Sequence, residues 1–274
     1  MLNVNVKSEA SIEKLRWIMS KLRDPETGCP WDVKQNFSSI TAHTIEEAYE
    51  VVDAIEQSDF VELNKELGDL LFQVIFYSQL GQEQQLFDFD SVVASICEKL
   101  IRRHPHVFSD ADLNTDAQIK ANWENEKAKE RQTKNNQENL SILADIPKNL
   151  PALSQAAKIQ KRCSHVGFDW HNINDVFEKI EEEVLEVKEE LEAKEVNQVA
   201  LGEEIGDLMF AVVNLCRHAK QDPETLLRRA NQKFTKRFHA VEAHVQQSKR
   251  DFSQHSLEQL EQYWQKVKTQ EKNS

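Results

Sequence analysis

The sequence predicts an all-α protein made of two tandem helical bundles, each built around an acidic helical hairpin, and three observations carry that reading. Apolar residues recur at helical spacing: Leu63, Leu67, Leu70, Leu71 and Val74 fall at i, i+4, i+7, i+8 and i+11, and Leu201, Ile205, Leu208, Met209 and Val212 repeat the series. Only 6 Gly and 6 Pro interrupt 274 residues, and no run of short alternating strands bounded by hairpin turns is found; the segment FVELN at 60–64 could be misread as one. The two halves also repeat one another in order. ELGDLLF at 66–72 matches EIGDLMF at 204–210, EKLIRRHPHV at 98–107 resembles QKFTKRFHAV at 232–241, and WENEK at 123–127 resembles WQKVK at 264–268. Each match constrains where the next must fall, so ordered duplication is harder to reach by chance than one acidic cluster.

Taken along the chain, residues 1–130 form the first helical domain, 131–146 a linker and 147–274 the second domain. Within the first, a hairpin turn is expected at Ser58-Asp59, where Ser or Asp caps a new helix. Glu47 and Glu50 share a face of the helix before it, and Glu66 and Asp69 share a face of the helix after it. Glu50 and Glu66 each lie roughly eight residues, or ~12 Å of helix, from the turn, so folding the hairpin brings the two acidic pairs level. Farther on, Lys99 and Arg103 are i, i+4, as are Trp123 and Lys127. The linker is polar until Leu140 and closes with Pro147 and Pro151. In the second domain Glu183 and Glu186 pair on one helix and Glu204 and Asp207 on the next, with a turn expected at Asn197. Lys233 with Arg237, and Trp264 with Lys268, repeat the later i, i+4 pairs. Gly68 and Gly206 occupy one register inside the two acidic motifs, where a helix-interior Gly costs ~1 kcal/mol relative to Ala. That repetition predicts close approach of a backbone or a ligand.

Composition narrows the function. With 34 basic and 47 acidic residues, the formal net charge is −13 and the pI near 5.2. This excludes broad, sequence-independent binding to nucleic acid or to an anionic membrane. A polyanionic substrate would need a metal and a few placed cations. Cys29, Cys97, Cys163 and Cys216 form no Cys-x-x-Cys pair, which argues against a disulfide framework or a zinc ribbon and for a reducing, cytoplasmic setting. The first residues carry no signal-peptide apolar core, and no apolar run reaches the roughly 18 residues of a membrane span.

Four level carboxylates in a bundle repel one another unless a cation neutralises them. Their hard oxygens suit Mg²⁺, with Mn²⁺ as a possible substitute. A solvated, salt-bridge-laced helix face is the better reading for Glu181, Glu189, Glu190 and Glu192. It predicts neither the level placement nor the repetition of the two quartets. A di-iron bundle would want Glu-x-x-His on two helices, and no His follows Glu47, Glu66, Glu183 or Glu204 at i+3.

The pattern Glu-Glu-x-x-Glu followed by Glu-x-x-Asp stands at Glu46, Glu47, Glu50, Glu66 and Asp69, and again at Glu182, Glu183, Glu186, Glu204 and Asp207. Together with LRDPETGCPWD at 22–32, RRHPHVF at 102–108 and KIQKRCSHVGFDW at 158–170, it resembles the MazG family of all-α nucleoside triphosphate pyrophosphohydrolases in its form with two tandem copies. The resemblance spans nearly the whole chain. It implies Mg²⁺-dependent hydrolysis of nucleoside triphosphates to the monophosphate and pyrophosphate by a cytoplasmic homodimer, in nucleotide-pool house-cleaning or alarmone-related control. It also implies that Lys233, Arg237, Trp264 and Lys268 contact phosphate and nucleotide, with Lys179 in the same substrate-binding group. Geometry alone gives only an acidic metal cage. Glu183, Glu186, Glu204 and Asp207 are the expected ligands; Glu182 or Glu203 would orient or deprotonate the water, and the sequence does not choose between them.

The copies differ at two places. Glu203 precedes the second acidic pair where the first copy has Lys65, and Lys179 stands four residues before Glu183 where the first copy has His43 before Glu47. An ammonium beside the cage opposes cation binding, so the second copy is expected to be the main active site. Glu47, Glu50, Glu66, Asp69, Lys99, Arg103, Trp123 and Lys127 form a second candidate site. GCPWD and GFDW are expected to cover the mouths of the sites, and His104 and His106, flanking Pro105, to make a structural turn. The alternative function is a helical nucleotide- or metal-sensing interaction module with little turnover.

Overall fold

A computed structural model of the chain describes residues 10–135 and 141–272. The first nine residues of the N-terminal segment, the middle of the expected 131–146 linker and the last two residues lie outside the described residues. Among the described residues there are twelve α-helices, one short 3-10 helix and no strand. The chain divides into two compact units, Met1–Glu130 and Arg131–Ser274.

The first unit runs α1 (Ile12–Leu22), α2 (Pro30–Lys34), α3 (Thr41–Glu56), α4 (Phe60–Glu83), α5 (Phe89–Arg103), α6 (Pro105–Phe108) and most of α7 (Asp116–Asn135), which continues past the unit boundary into the expected 131–146 linker. The hairpin of α3 and α4 is its spine. Its turn follows from local chemistry: Ser58 takes a left-handed φ of 59°, and the Asp59 carboxylate accepts from the backbone N–H groups of Val61 and Glu62. FVELN is therefore the first turn of α4 and not a strand. Helix α1 lies against the C-terminal half of α4, where Met19, Ile40, Ile75, Phe76 and Leu80 form a buried cluster. Arg23 locks that end, reaching Glu83 at 2.6 Å and the backbone carbonyl of Asp32.

The second unit runs α8 (Ala152–Ser164), α9 (Ile173–Glu192), α10 (Gln198–His218), α11 (Pro223–Gln247) and α12 (Leu257–Lys272). Asn172 opens α9 with a capping box, and Asn197 opens α10 by accepting from Val199 and Ala200. The expected turn at Asn197 is thus a helix cap. Helices α9 and α10 repeat the hairpin, α8 covers one side of it as α1 does in the first unit, and α11 pairs with α12. Val241, Val245 and Val267 are the buried centre of that last pair.

The periodic apolar residues form helices but do not all find cover within their unit. Leu67, Leu71 and Val74 on α4 are exposed, as are Ile205, Met209 and Val212 on α10. Gly68 and Gly206 share this openness: a Cβ added at either would meet nothing within 4 Å. The close approach expected at these glycines is not made by the chain's own backbone.

Candidate active site

Each hairpin gathers three carboxylates. Glu183 on α9 with Glu204 and Asp207 on α10, and Glu47 on α3 with Glu66 and Asp69 on α4, each offer one oxygen, and within each set these oxygens lie within 4.8 Å of one another. Oxygens held by Mg²⁺ at 2.0–2.1 Å stand at most about 4.2 Å apart across an octahedron, so small side-chain adjustments suffice.

In the second copy one buried carboxylate oxygen is left open to a cation, while its twin is held by a lysine. Glu183 is only 4% exposed. Its Oε1 accepts from Lys179 Nζ at 2.7 Å, while its Oε2 is buried with no hydrogen-bond partner. An orphaned carboxylate oxygen beside two further carboxylates fits a hard divalent ion. Lys179 also reaches Glu182 Oε1 at 3.0 Å, and hydrogen bonds to Glu183 and then Glu182 raise its pKa well above the ordinary lysine value. Glu186 belongs to the same field: loss of water, then the charges of Glu183 and Glu204, push its carboxyl up. Glu203 is exposed, four residues before Asp207 on α10.

The first copy carries the same tension. Glu66 is pushed up to about 7, first by desolvation and then by Glu62 and Glu50. Glu47 is raised by burial, then by Asp69 and Glu50. Lys65 lies within the field of Glu66, as its sequence position suggested, but makes its ion pair with a residue outside the triad. Its ammonium is 2.6 Å from Glu62 Oε2, because residues three apart share a helix face whereas adjacent ones diverge. His43 meets Glu46, at 3.5 Å. The ammonium that touches an expected metal ligand is Lys179, in the second copy.

Among the other expected phosphate- and nucleotide-binding residues, Arg237 and Trp264 pack together. Arg237 Nε donates to Glu271 Oε2 at 2.8 Å and its guanidinium lies 5.9 Å from the Trp264 ring. Trp264 packs with Phe234 and against the valine cluster. Lys233 is exposed and Lys268 half-buried. In the first copy Arg103 is held by Glu130, Lys127 lies 5.0 Å from the Trp123 ring, and Lys99 contributes to the field at Glu130. Among the described residues, no hydrogen bond or ion pair joins these cations to the carboxylate triads. Glu130 and Glu271 escaped the sequence reading, although each stands seven residues after its Trp. His104 closes α5, with Nδ1 2.7 Å from the Leu100 carbonyl, and His106 lies in the short α6.

A cavity of about 290 Å³ opens beside the second triad, with Lys179, Glu183 and Asp207 in its wall. Trp170 of GFDW lines it, while Trp31 of GCPWD is half exposed and lies edge-on to His43. The loop carrying Trp170 is fixed through Asp169, whose carboxylate accepts from Arg217 at 2.9 Å and contacts His218 at 3.1 Å. Gln160 and Asn214 also line the cavity and are 7% and 2% exposed. Neither was singled out in the sequence. An amide within the apolar run AVVNLC was the available signal for Asn214.

Comparison with known proteins agrees with this geometry. The MazG nucleotide pyrophosphohydrolase domain model matches residues 35–108 and 172–246, so each match contains one acidic hairpin. The chain is 49% identical over 260 residues to the nucleoside triphosphate pyrophosphohydrolase of Escherichia coli K12, covering 95% of this chain and 98% of that one. It is 42% identical over 256 residues to the nucleoside triphosphate pyrophosphohydrolase/pyrophosphatase MazG of Thermotoga maritima, covering 93% and 95%. With the domain found twice and the likeness running through almost the full length of these relatives, the chain belongs to the MazG nucleotide pyrophosphohydrolase family.

Proposed function

We propose that the chain hydrolyses nucleoside triphosphates to the monophosphate and pyrophosphate at the second acidic triad, with Mg²⁺ as cofactor. The observation that carries this reading is the orphaned, buried Glu183 Oε2 beside Glu204 and Asp207, at the edge of a cavity. Glu183, Glu186, Glu204 and Asp207 hold the ion, with Mn²⁺ as a substitute. When bound, the ion supplies charge neutralisation at the phosphate oxygens. Glu203, exposed and with no ion pair among the described residues, takes the proton of the attacking water; Glu182 is engaged by Lys179. Attack on the α-phosphorus opposite the leaving group releases pyrophosphate. Lys179, Lys233, Arg237 and Lys268 offset charge on the phosphate chain, and Trp264 fixes the Arg237 guanidinium.

The working enzyme is a homodimer. The exposed stripe Ile205, Met209 and Val212, flush with Gly206, supports a second copy as its cover, and the matching stripe on α4 supports the same arrangement there. A cytoplasmic role in nucleotide-pool house-cleaning or alarmone-related control accords with the acidic chain. No helix among the described residues is long and apolar enough to cross a membrane. Incubation with ATP and Mg²⁺, followed by separation of products, tests the reaction: AMP and pyrophosphate are expected. ADP and phosphate would contradict the assigned bond, and intact ATP would leave a sensing module as the better account.

A further inference from the structure

Arg217 stands in the last turn of α10, ten residues after Asp207 and so about 15 Å along the helix from that carboxylate. It is not in the wall of the cavity beside the second triad, yet all three of its guanidinium nitrogens are engaged. Nε donates to Asn214 Oδ1 at 2.9 Å, Nη1 to Asp169 Oδ2 at 2.9 Å and Nη2 to Asp169 Oδ1. His218 Nε2 closes the group, 3.1 Å from Asp169 Oδ1. A planar donor fork that meets both oxygens of a carboxylate is strong and directional, so the group acts as a clasp.

Both ends of the clasp lead to the cavity wall. Asn214 lines the cavity and is buried. A guanidinium only donates, so the amide oxygen faces Arg217, and what Asn214 has left to offer the cavity is its nitrogen with two N–H donors. Asp169 Oδ1 also accepts from the backbone N–H of Trp170 at 3.0 Å, where Trp170 enters the wall. Packing does little to hold this loop: Phe168 is 78% exposed and Trp170 42%, and Gly167 takes a left-handed φ of 84° that any other residue would resist. One guanidinium therefore fixes wall residues that belong to two different elements.

We infer that Arg217 is a positioning residue for hydrolysis at the second triad: through Asp169 it sets Trp170, and through its own hydrogen bond it sets the Asn214 amide, so that the substrate meets a fixed wall beside the metal cage. The inference rests on the pyrophosphohydrolase reading of that triad. Among the described residues Arg217 makes no hydrogen bond or ion pair with Glu183, Glu204 or Asp207, so it acts on the engagement of substrate and not on the ion. A misplacement of about 1 Å in groups that hold a substrate can cost on the order of a hundredfold in rate, even when the change is made far from the chemistry.

The first copy supplies an internal comparison. Glu66 and Asp69 register with Glu204 and Asp207, which places Phe76 opposite Asn214 and Gln79 opposite Arg217; GCPW set against GFDW places Pro30 opposite Asp169 and Trp31 opposite Trp170. None of the three members of the clasp is kept. Gln79 donates to Glu83 at 2.9 Å, Phe76 is buried in the core and Pro30 opens α2. The α3–α4 hairpin forms without them, so the clasp is not a requirement of the hairpin. It accompanies the copy in which a buried carboxylate oxygen is left open beside a cavity.

The test is steady-state pyrophosphate release from ATP and Mg²⁺ by the full chain. Arg217→Met keeps an apolar stem and removes every donor. It is expected to raise KM for ATP about tenfold, to change kcat by less than about threefold, and to leave the affinity for Mn²⁺, titrated without nucleotide, within about twofold. In a chain already carrying Trp170→Ala and Asn214→Ala, where neither wall group remains to be set, Arg217→Met is expected to change kcat/KM by less than about twofold. An arginine that only supports the fold would cost the same in both backgrounds, and that result overturns the inference, as does an unchanged KM in Arg217→Met with helical circular dichroism retained. If the background variant does not fold, the split between KM and kcat in Arg217→Met decides alone, and a loss confined to kcat counts against the clasp. If Arg217→Met does not fold, Arg217→Lys, which keeps the charge without the fork, is read against the same expectations. A parent that releases no pyrophosphate refutes the hydrolase reading; equilibrium binding of ATP weakened by Arg217→Met would then still support the clasp, and equal binding would overturn it as well.

Discussion

Lys179 places its ammonium 2.7 Å from Glu183 Oε1, so this lysine and a divalent ion compete for one buried carboxylate. Lys179→Met should therefore act in two directions. Without added metal it should lower stability, by less than the roughly 3–5 kcal/mol of a fully buried pair, because a third of the lysine side chain is exposed and screened. With Mg²⁺ or Mn²⁺ it should show a larger upward shift in Tm than the parent, since metal then no longer competes with the Lys179 ammonium for that carboxylate. Thermal melts across a metal titration check both; an equal metal shift in the two proteins would show that Lys179 and the ion do not share Glu183. Asp169 gives a second prediction at this scale. Hydrogen bonding from Arg217, with His218 assisting, holds its carboxyl below the ordinary range against the opposing effect of burial. A depressed folded-state pKa stabilises above the unfolded value of about 3.9 and loses that contribution as pH falls through it. Asp169→Asn should cost roughly 1–3 kcal/mol at pH 7 and show a flatter decline in Tm from about pH 5 to pH 3. Parallel acid limbs would refute the pairing.

At the scale of the helix, the two acidic hairpins are close copies in ligands and unlike in surroundings. Asp207→Asn exchanges a charged ligand for a near-isostere and should remove most pyrophosphate release, about a hundredfold or more, with helical circular dichroism unchanged. Asp69→Asn should cost less than about threefold, because Gln73 and Phe76 occupy the positions that form the cavity in the second copy. The reverse result would move the working site to the first copy. The hairpins themselves were legible in the sequence because caps and same-face spacing are local properties: Asp59, Asn197 and the i, i+3 acids act within one or two turns. The cavity was not legible. Gln160 matters through its hydrogen bond to the carbonyl of Phe210, fifty residues away, and neither helix alone announces that contact. Lys65 was legible only in part for a related reason: adjacency in sequence set it beside Glu66, whose charge it feels, while the helix gives its ion pair to Glu62.

For the whole molecule, periodicity reveals that a helix face is apolar and leaves open what covers it. In the first unit α1 covers one side of the α3–α4 hairpin, and in the second α8 covers one side of α9–α10. On α4 and α10 the residues left exposed, Leu67, Leu71 and Val74 and then Ile205, Met209 and Val212, stand at corresponding spacing in the two copies. A chain with net charge −13 that keeps these stripes free of charge at matching positions fits an isologous interface, in which a surface meets its own image in a second copy. Each such side chain gains about 1.5–3 kcal/mol when fully buried, so a few from each partner outweigh the entropy lost on association only if several stripes engage together. Met209→Glu is the sharp test. Met209 is 54% exposed within its own chain, so the substitution should alter the folded subunit by no more than about 0.5 kcal/mol, whereas a carboxylate buried against a partner would be strongly unfavourable. Light scattering at micromolar concentration should give a dimer for the parent and a monomer for the variant, with helical circular dichroism retained. A parent that is monomeric under those conditions, or a variant that remains dimeric, would mean that this face is not the one a second copy covers.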